Sequence, residues 1–234
     1  MNNDYIHLIP EEARSNLFVG FNEGKLPKLE KYSVAVKDEN PHILVVKELL
    51  SKAECELLKN FFYQSSKIRT KEDTVRIDYG TSENGIQRAS FYDKNWSNEL
   101  FKRLIPFLNQ SQDNGSSILI GLNPLIRFIH YNKENHRLIA HYDPEIKLSD
   151  KVFTRQTIVV YLNDVDSGYT NMLQDTRKEL GYKDSFESFP VIYGQKPIEG
   201  NAIIFPHYVF HESGRLMNGE EKIILTTELC YIKP

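Results

Sequence analysis

Cysteine is scarce in this chain: Cys55 and Cys230 are the only two in 234 residues. They lie too far apart for a disulfide framework or a paired zinc-ligand spacing. Both are expected as reduced thiols in apolar surroundings, which suits a reducing cytoplasm. Long hydrophobic runs are missing too, since nowhere do about 18 apolar residues follow one another. The opening stretch "MNNDYIHLIPEEARSNLF" has neither a basic n-region nor an apolar h-region. A soluble, cytoplasmic protein with no membrane partner is therefore expected. An excess of positive charge is also lacking. Lys plus Arg total 29 against 32 for Asp plus Glu, a net charge of -3, so no nucleic-acid partner is expected. Internal repeats and low-complexity linkers are absent. That leaves an N-terminal arm over residues 1–40, polar and weakly patterned, followed by a single domain over 41–234.

What the sequence does have is apolar material, 40% hydrophobic and 12% aromatic residues, enough to bury a substantial core. The run Ile43 to Val46 predicts a short strand. Ser51 followed by Glu54 forms a capping box, which predicts a helix from Ser51 with Leu57, Leu58, Phe61 and Phe62 on its inward stripe. A second helix is predicted from Asp93, with Trp96, Leu100, Leu104 and Phe101 inward, until Pro106 stops it. After Gly121 come short β-rich runs, "LIRFIHY", "RLIAHYD", "TRQTIVVYLND", "PVIYGQ", "NAIIFP" and "EKIILTTELCYI". Several are apolar on both faces, as strands covered on both sides should be. Helical support over 41–120 followed by a β core over 121–234 gives an α+β class with a sandwich or barrel. The stretch from Tyr169 to Phe189 is too long for a plain hairpin turn and reads as a lid or substrate loop.

One short stretch points to chemistry. In "HYDPEIK", His141 and Asp143 sit two apart at a strand end, so on an extended backbone both reach one point while Tyr142 faces away. A distant "FPHYVFHE" adds His207 and His211. A His-x-carboxylate pair plus a later histidine is the ligand pattern that holds Fe(II) on one octahedral face and leaves three positions open. Spacing alone leaves His207 and His211 both eligible as the third ligand. A cupin-type site, which needs more histidines, would have to recruit His130 or His136.

These stretches together, from "RFIHYNKENHRLIAHYD" through "YLNDVDSGYT" to "GNAIIFPHYVFHESGRLMNGEEKIILTTELCY", resemble the iron(II)/2-oxoglutarate-dependent dioxygenases, in particular their prolyl 4-hydroxylase-like branch. The earlier "HILVVKELLSKAECELL" is similar to the helix entry common there. The resemblance implies a double-stranded β-helix (jelly-roll) core with N-terminal flanking helices. It implies His141, Asp143 and His211 as iron ligands, with His207 left as a loop residue. It also implies Lys222 as the cation for the distal carboxylate of 2-oxoglutarate, with Arg215 the alternative, and Tyr131 and Tyr161 as further co-substrate contacts; Thr226, on the same strand parity as Lys222, is expected to face the same interior. The cofactors implied are Fe(II), 2-oxoglutarate and O2, with ascorbate as an accessory. The chain departs from the family where many relatives carry Arg in place of Thr226 and where the "GGET" turn reads "SGYT". Asp143 is retained, which speaks against halogenation.

The activity implied is hydroxylation of an unactivated C–H bond of a prolyl or other amino-acid residue, peptidyl or free. Arg127 shares strand parity with Tyr131 and, with Arg88, is a candidate substrate contact. The alternatives are an oxygenase acting on another small metabolite and a non-catalytic binding module on the same scaffold. The partner expected is a small molecule or a peptide; the sequence carries no indication of oligomeric state.

Overall fold

The structure, a computed structural model, describes residues 28–33, 42–68, 86–108, 117–177 and 189–233. Its strands are β1 (Lys28–Ser33), β2 (His42–Lys47), β3 (Gln87–Tyr92), β4 (Ile118–Leu122), β5 (Leu125–Tyr131), β6 (Leu138–His141), β7 (Val152–Tyr161), β8 (Thr170–Leu173), β9 (Val191–Gln195), β10 (Ala202–Pro206), β11 (His211–Ser213) and β12 (Lys222–Ile232). Two helices, α1 (Lys52–Ile68) and α2 (Lys94–Leu108), complete the described elements. The strands form two antiparallel sheets. The larger runs β1-β2-β10-β7-β12-β5-β3, with β4 beside β12, and the smaller runs β6-β11-β8-β9. None of the described helices is long and apolar enough to cross a membrane.

The central strands of the large sheet, β2, β10, β7, β12 and β5, are buried on both faces and alternate between two cores. One face carries Leu44, Val46, Ile158, Val160, Ala202, Ile204, Ile223 and Leu225 against the helices, through Leu58, Phe62, Trp96 and Leu100. The other carries Ile43, Val45, Ile129, Tyr131, Val159, Tyr161, Ile203, Phe205 and Ile224, with Met172, Leu138 and Tyr193 of the small sheet closing over it. This two-layer packing is why the strand runs read as nearly continuous apolar stretches. The small sheet turns the second face into the interior of a jelly roll.

Helix entries follow the sequence signals. Ser51 N–H donates to Glu54 Oε2 at 2.8 Å, and Glu54 N–H donates back to Ser51 Oγ at 3.2 Å, a complete capping box. Asp93 caps α2 by accepting from Asn95 N–H at 2.9 Å and Trp96 N–H at 3.0 Å. Two helix details are corrected. Leu57 is exposed, and Cys55 takes its place on the buried stripe with Leu58 and Phe62, because the helix is rotated slightly against the sheet. Pro106 does not end α2, which continues to a buried Leu108. A proline this near the C-terminus forfeits one backbone hydrogen bond, and burial of Leu108 offsets that loss.

Glu54 serves twice, for it is also ion-paired with Arg103 of α2 at 2.6 Å, with both side chains buried. Burial pushes the Glu54 pKa up, but hydrogen bonds from Arg103 and Ser51 and the guanidinium charge more than reverse this, and the carboxyl titrates below its ordinary range. Removing one member of a buried pair strands the other charge. Arg103→Ala is expected to cost about 3 kcal/mol in urea denaturation; a loss below ~0.5 kcal/mol would mean that Glu54 escapes to water.

Other strands lie where the sequence patterning is weak. The stretch 1–40 contains β1, which pairs in register with β2 from Lys28↔Lys47 to Ser33↔His42; its remainder lies outside the described residues. The stretch 169–189 begins with a strand, β8, rather than a loop, and residues 178–188 lie outside the described residues. Asn171, half-buried within β8, breaks the apolar run that would have marked it.

Candidate metal and co-substrate site

The site grows out of one strand pairing. β11 runs antiparallel to β6 with His211 directly opposite His141, a placement that brings side chains together across a sheet. The two imidazole centroids lie 4.3 Å apart. Asp143, two residues beyond the end of β6, turns back toward both rings. His141 Nε2 lies 3.5 Å from Asp143 Oδ1, and His211 Nε2 lies 3.6 Å from Oδ2. One ligand atom from each of the three residues falls within 4.8 Å of the others, the only such group among the described residues.

Each ligand is oriented from behind. His141 Nδ1–H donates to the Ile139 carbonyl at 2.7 Å, and His211 Nδ1–H donates to the Val209 carbonyl at 2.9 Å. These bonds select the tautomer that leaves both Nε2 lone pairs facing Asp143. Thr157 Oγ1–H donates to Asp143 Oδ2 at 2.5 Å. Burial lowers the His211 pKa to about 4, against the pull of Asp143 and aided by the neighbouring His141. Burial would raise the Asp143 pKa, but the His141 hydrogen bond, the His211 charge and the Thr157 hydroxyl drive it well below the usual carboxylate range. A neutral His211 imidazole and an ionised Asp143 carboxylate at neutral pH are protonation states a divalent metal requires. The identity of the three ligand atoms, two nitrogens and one oxygen on one side of an open cavity, fits Fe(II). His130 and His136, which a richer ligand set would need, stay apart. His130 is on the helix-facing side of β5, bonded to Glu221 at 2.5 Å and Gln87 at 2.9 Å, and His136 accepts from Asn132 N–H at 3.2 Å.

The triad borders an open cavity of about 310 Å³ between the two sheets. Behind the lining residues Tyr131 and Ser213 lies Lys222, the first residue of β12, with 1% of its surface exposed. Its ammonium donates to the Gly168 carbonyl and to Ser213 Oγ, each at 2.5 Å, and stands 4.2 Å over the ring of Tyr131, its partner across β5. No carboxylate among the described residues is paired with it, and burial lowers its pKa to about 7. An ammonium held dry without a counter-anion is costly unless an anionic ligand completes the pair. Tyr131 and Ser213, which touch it, line the cavity, and Thr226, four residues along β12 and opposite Arg127, lines it farther off. Arg215, the alternative cation, is exposed on the surface. Tyr161 is fully buried and stands behind the wall, its hydroxyl donating to the cavity residue Thr170 at 2.7 Å.

The "SGYT" turn has a geometric reason. Gly168 has φ +64°, and a Cβ there would lie 3.0 Å from Lys222 Nζ. Gly168→Ala is expected to cost about 1–2 kcal/mol from the left-handed backbone alone, measured by thermal melting, and to push the Lys222 ammonium off its carbonyl.

Arg127 and Arg88 both line the cavity, Arg127 as an ion pair with Glu228, which also accepts from Asn123 Nδ2 at 2.7 Å. Sequence reasoning missed Thr157, Ser213, Glu228 and the Gly168 carbonyl. Thr157 and Glu228 share strand parity with Val159 and Thr226, a signal that becomes readable once the inner face is known. His207, set aside as a loop residue, is buried in the cavity wall.

No protein-family model and no curated protein matches the sequence. Among solved structures, the fold is similar to the 2-oxoglutarate complex of the viral collagen prolyl hydroxylase of Paramecium Bursaria Chlorella virus-1. The TM-score is 0.50 at 18% identity, over 92% of this chain and 100% of that one. It is also similar to a Pseudomonas putida prolyl-4-hydroxylase, with a TM-score of 0.54 at 16% identity, over 80% of this chain and 91% of that one. The chain thus has the double-stranded β-helix fold of these prolyl hydroxylases.

Proposed function

We propose that this chain is an Fe(II)- and 2-oxoglutarate-dependent dioxygenase that hydroxylates an unactivated C–H bond of a prolyl or other amino-acid substrate. The observation that carries the reading is the adjacency of two features: a His141–Asp143–His211 group with metal-ligand geometry on the cavity, and a buried Lys222 ammonium without a carboxylate partner that touches the cavity residues Tyr131 and Ser213. His141, Asp143 and His211 would hold the iron. Lys222, with Ser213 beside it, would take the distal carboxylate of 2-oxoglutarate, and the Tyr131 ring would shield that pair from water. The iron centre supplies the chemistry: one O2 oxidises 2-oxoglutarate to succinate and CO2 and leaves one oxygen atom in the hydroxylated C–H bond.

The protein's own part is placement. Val159, Phe205 and Ile224 line the cavity as an apolar wall, which excludes water and strengthens the Lys222–carboxylate attraction. Asp143 stays ionised and contributes the negative charge that a divalent ion needs. The resemblance of the fold to two prolyl hydroxylases supports an amino-acid substrate. The test is anaerobic addition of Fe(II) and 2-oxoglutarate, which should give the weak visible charge-transfer band of the chelate. Absence of the band together with no succinate release in air would sink the proposal.

A further inference from the structure

The wall of the cavity next to the triad carries polar groups that metal and co-substrate leave unused. His207, which opens the turn after β10, is 6% exposed, and neither ring nitrogen meets a hydrogen-bond partner among the described residues. The Gln156 carbonyl lies near the ring but outside bonding geometry, while the backbone N–H of His207 is anchored to the Arg155 carbonyl at 2.8 Å. The imidazole is therefore held in place without being used. Folded interiors leave few buried polar groups unpaired, and each such group needs a reason.

Its neighbourhood supplies one. Glu228 lies directly opposite Thr157 in the β12–β7 register, one strand spacing from the residue whose hydroxyl bonds Asp143. Arg127 gives only Nη1 to Glu228, which leaves its other guanidinium N–H groups available to the cavity. Asp143 and Glu228 both act on the His207 ring. A guanidinium, a carboxylate and an imidazole offering one donor and one acceptor thus converge beside the reaction centre, on the wall away from Lys222.

We infer that His207, Arg127 and Glu228 form a substrate-anchoring subsite for a free α-amino acid, with the substrate carboxylate on Arg127 and its ammonium on Glu228 and the acceptor nitrogen of His207. The inference rests on the oxygenase reading above and names its substrate class. A zwitterion matches the two opposite charges one for one, and hydrogen bonds between charged partners are about twice as strong as neutral ones. A residue within a peptide presents only uncharged amides to the same groups. The cavity of about 310 Å³ must also hold 2-oxoglutarate, which leaves room for a small molecule. His207 acts here as a specificity residue.

The experiment uses the full chain loaded with Fe(II) and 2-oxoglutarate under argon. The charge-transfer band is recorded first. The common L-amino acids, their N-acetyl amides and a proline-rich peptide are then titrated while the melting temperature is followed, and succinate release is measured in air. At least one free amino acid should raise the melting temperature saturably and stimulate succinate release, while its N-acetyl amide does neither. His207→Leu and Glu228→Gln should each raise the apparent Kd for that amino acid about ten-fold, with the band unchanged. His207→Gln, which keeps a donor and an acceptor, should recover part of the loss and guards against a folding artefact. Binding of the amides or the peptide as tightly as the free acid overturns the proposal. So does a shift from no free amino acid, or an unchanged Kd in the variants, when the band is present. If the band never forms, the oxygenase reading itself fails and this inference goes with it.

Discussion

Asp143→Ala and His211→Ala are each expected to abolish the anaerobic charge-transfer band and to reduce succinate formation by at least ~100-fold, the upper end of what loss of a mere supporting residue does to a metal site. The two substitutions act differently. Asp143 is the only carboxylate of the triad, and its loss leaves two imidazoles, with no negative charge to balance a divalent ion. His211 is the buried ligand, fixed through Nδ1 to Val209. Its loss opens one face of the coordination sphere while leaving His141 and Asp143 in place. Circular dichroism melts of both variants separate metal loss from unfolding. Retention of the band by both would show that iron is held elsewhere. Thr157→Val should be milder, about ten-fold in iron affinity, since it removes only the hydroxyl that steadies Oδ2.

Lys222 governs the second large effect. Lys222→Met is expected to raise the 2-oxoglutarate Kd by about 100-fold, the loss of about 2.7 kcal/mol expected when a buried charged hydrogen-bond partner is removed. Iron binding should be little changed. The pH dependence is more diagnostic. Burial lowers the Lys222 pKa in the free protein to about 7, whereas in the unfolded chain it titrates near its ordinary, much higher value. Binding a carboxylate needs the protonated ammonium. Affinity for 2-oxoglutarate should therefore be highest below pH 7 and weaken by up to ten-fold per unit above it. In the Met variant that slope should vanish. Stability of the ligand-free protein should move the other way: between pH 7 and the unfolded-state value it rises with pH, because only the unfolded chain still binds the proton. A 2-oxoglutarate affinity that is flat from pH 6 to 9 would remove Lys222 from the role.

Several of these residues are legible in the amino-acid sequence alone. His141, Asp143 and His211 stand out because a strand of period two puts i and i+2 on one side, and because the order of motifs resembles a known family. The capping box at Ser51 and Glu54 and the cap at Asp93 are legible for a local reason: their hydrogen bonds close within three residues. Other features are not. Glu228 reads as one acid in "TTELCY", and nothing local reveals that it faces Arg127 across β5 and Thr157 across β7. His207 reads as a turn residue because the sequence does not show which turns are roofed by a second sheet. The helical stripe is ambiguous at Leu57 because a rotation of a few tens of degrees decides whether Leu57 or Cys55 meets the sheet.

The sequence by itself determined the alternation that buries β2, β5, β7, β10 and β12 on both faces, the helix entries, and the three residue types able to hold a metal. All of these depend on neighbours a few positions away. Only the tertiary structure decided that β6 and β11 pair with His141 opposite His211, that Lys222 is dry and without a carboxylate, and that the Arg127–Glu228 pair and an unpartnered His207 share the triad's cavity. Register and burial come from contacts between strands far apart in the chain. Burial in turn keeps His211 a neutral ligand and lowers the Lys222 pKa to about 7, so that its ammonium is secured only when an anion joins it.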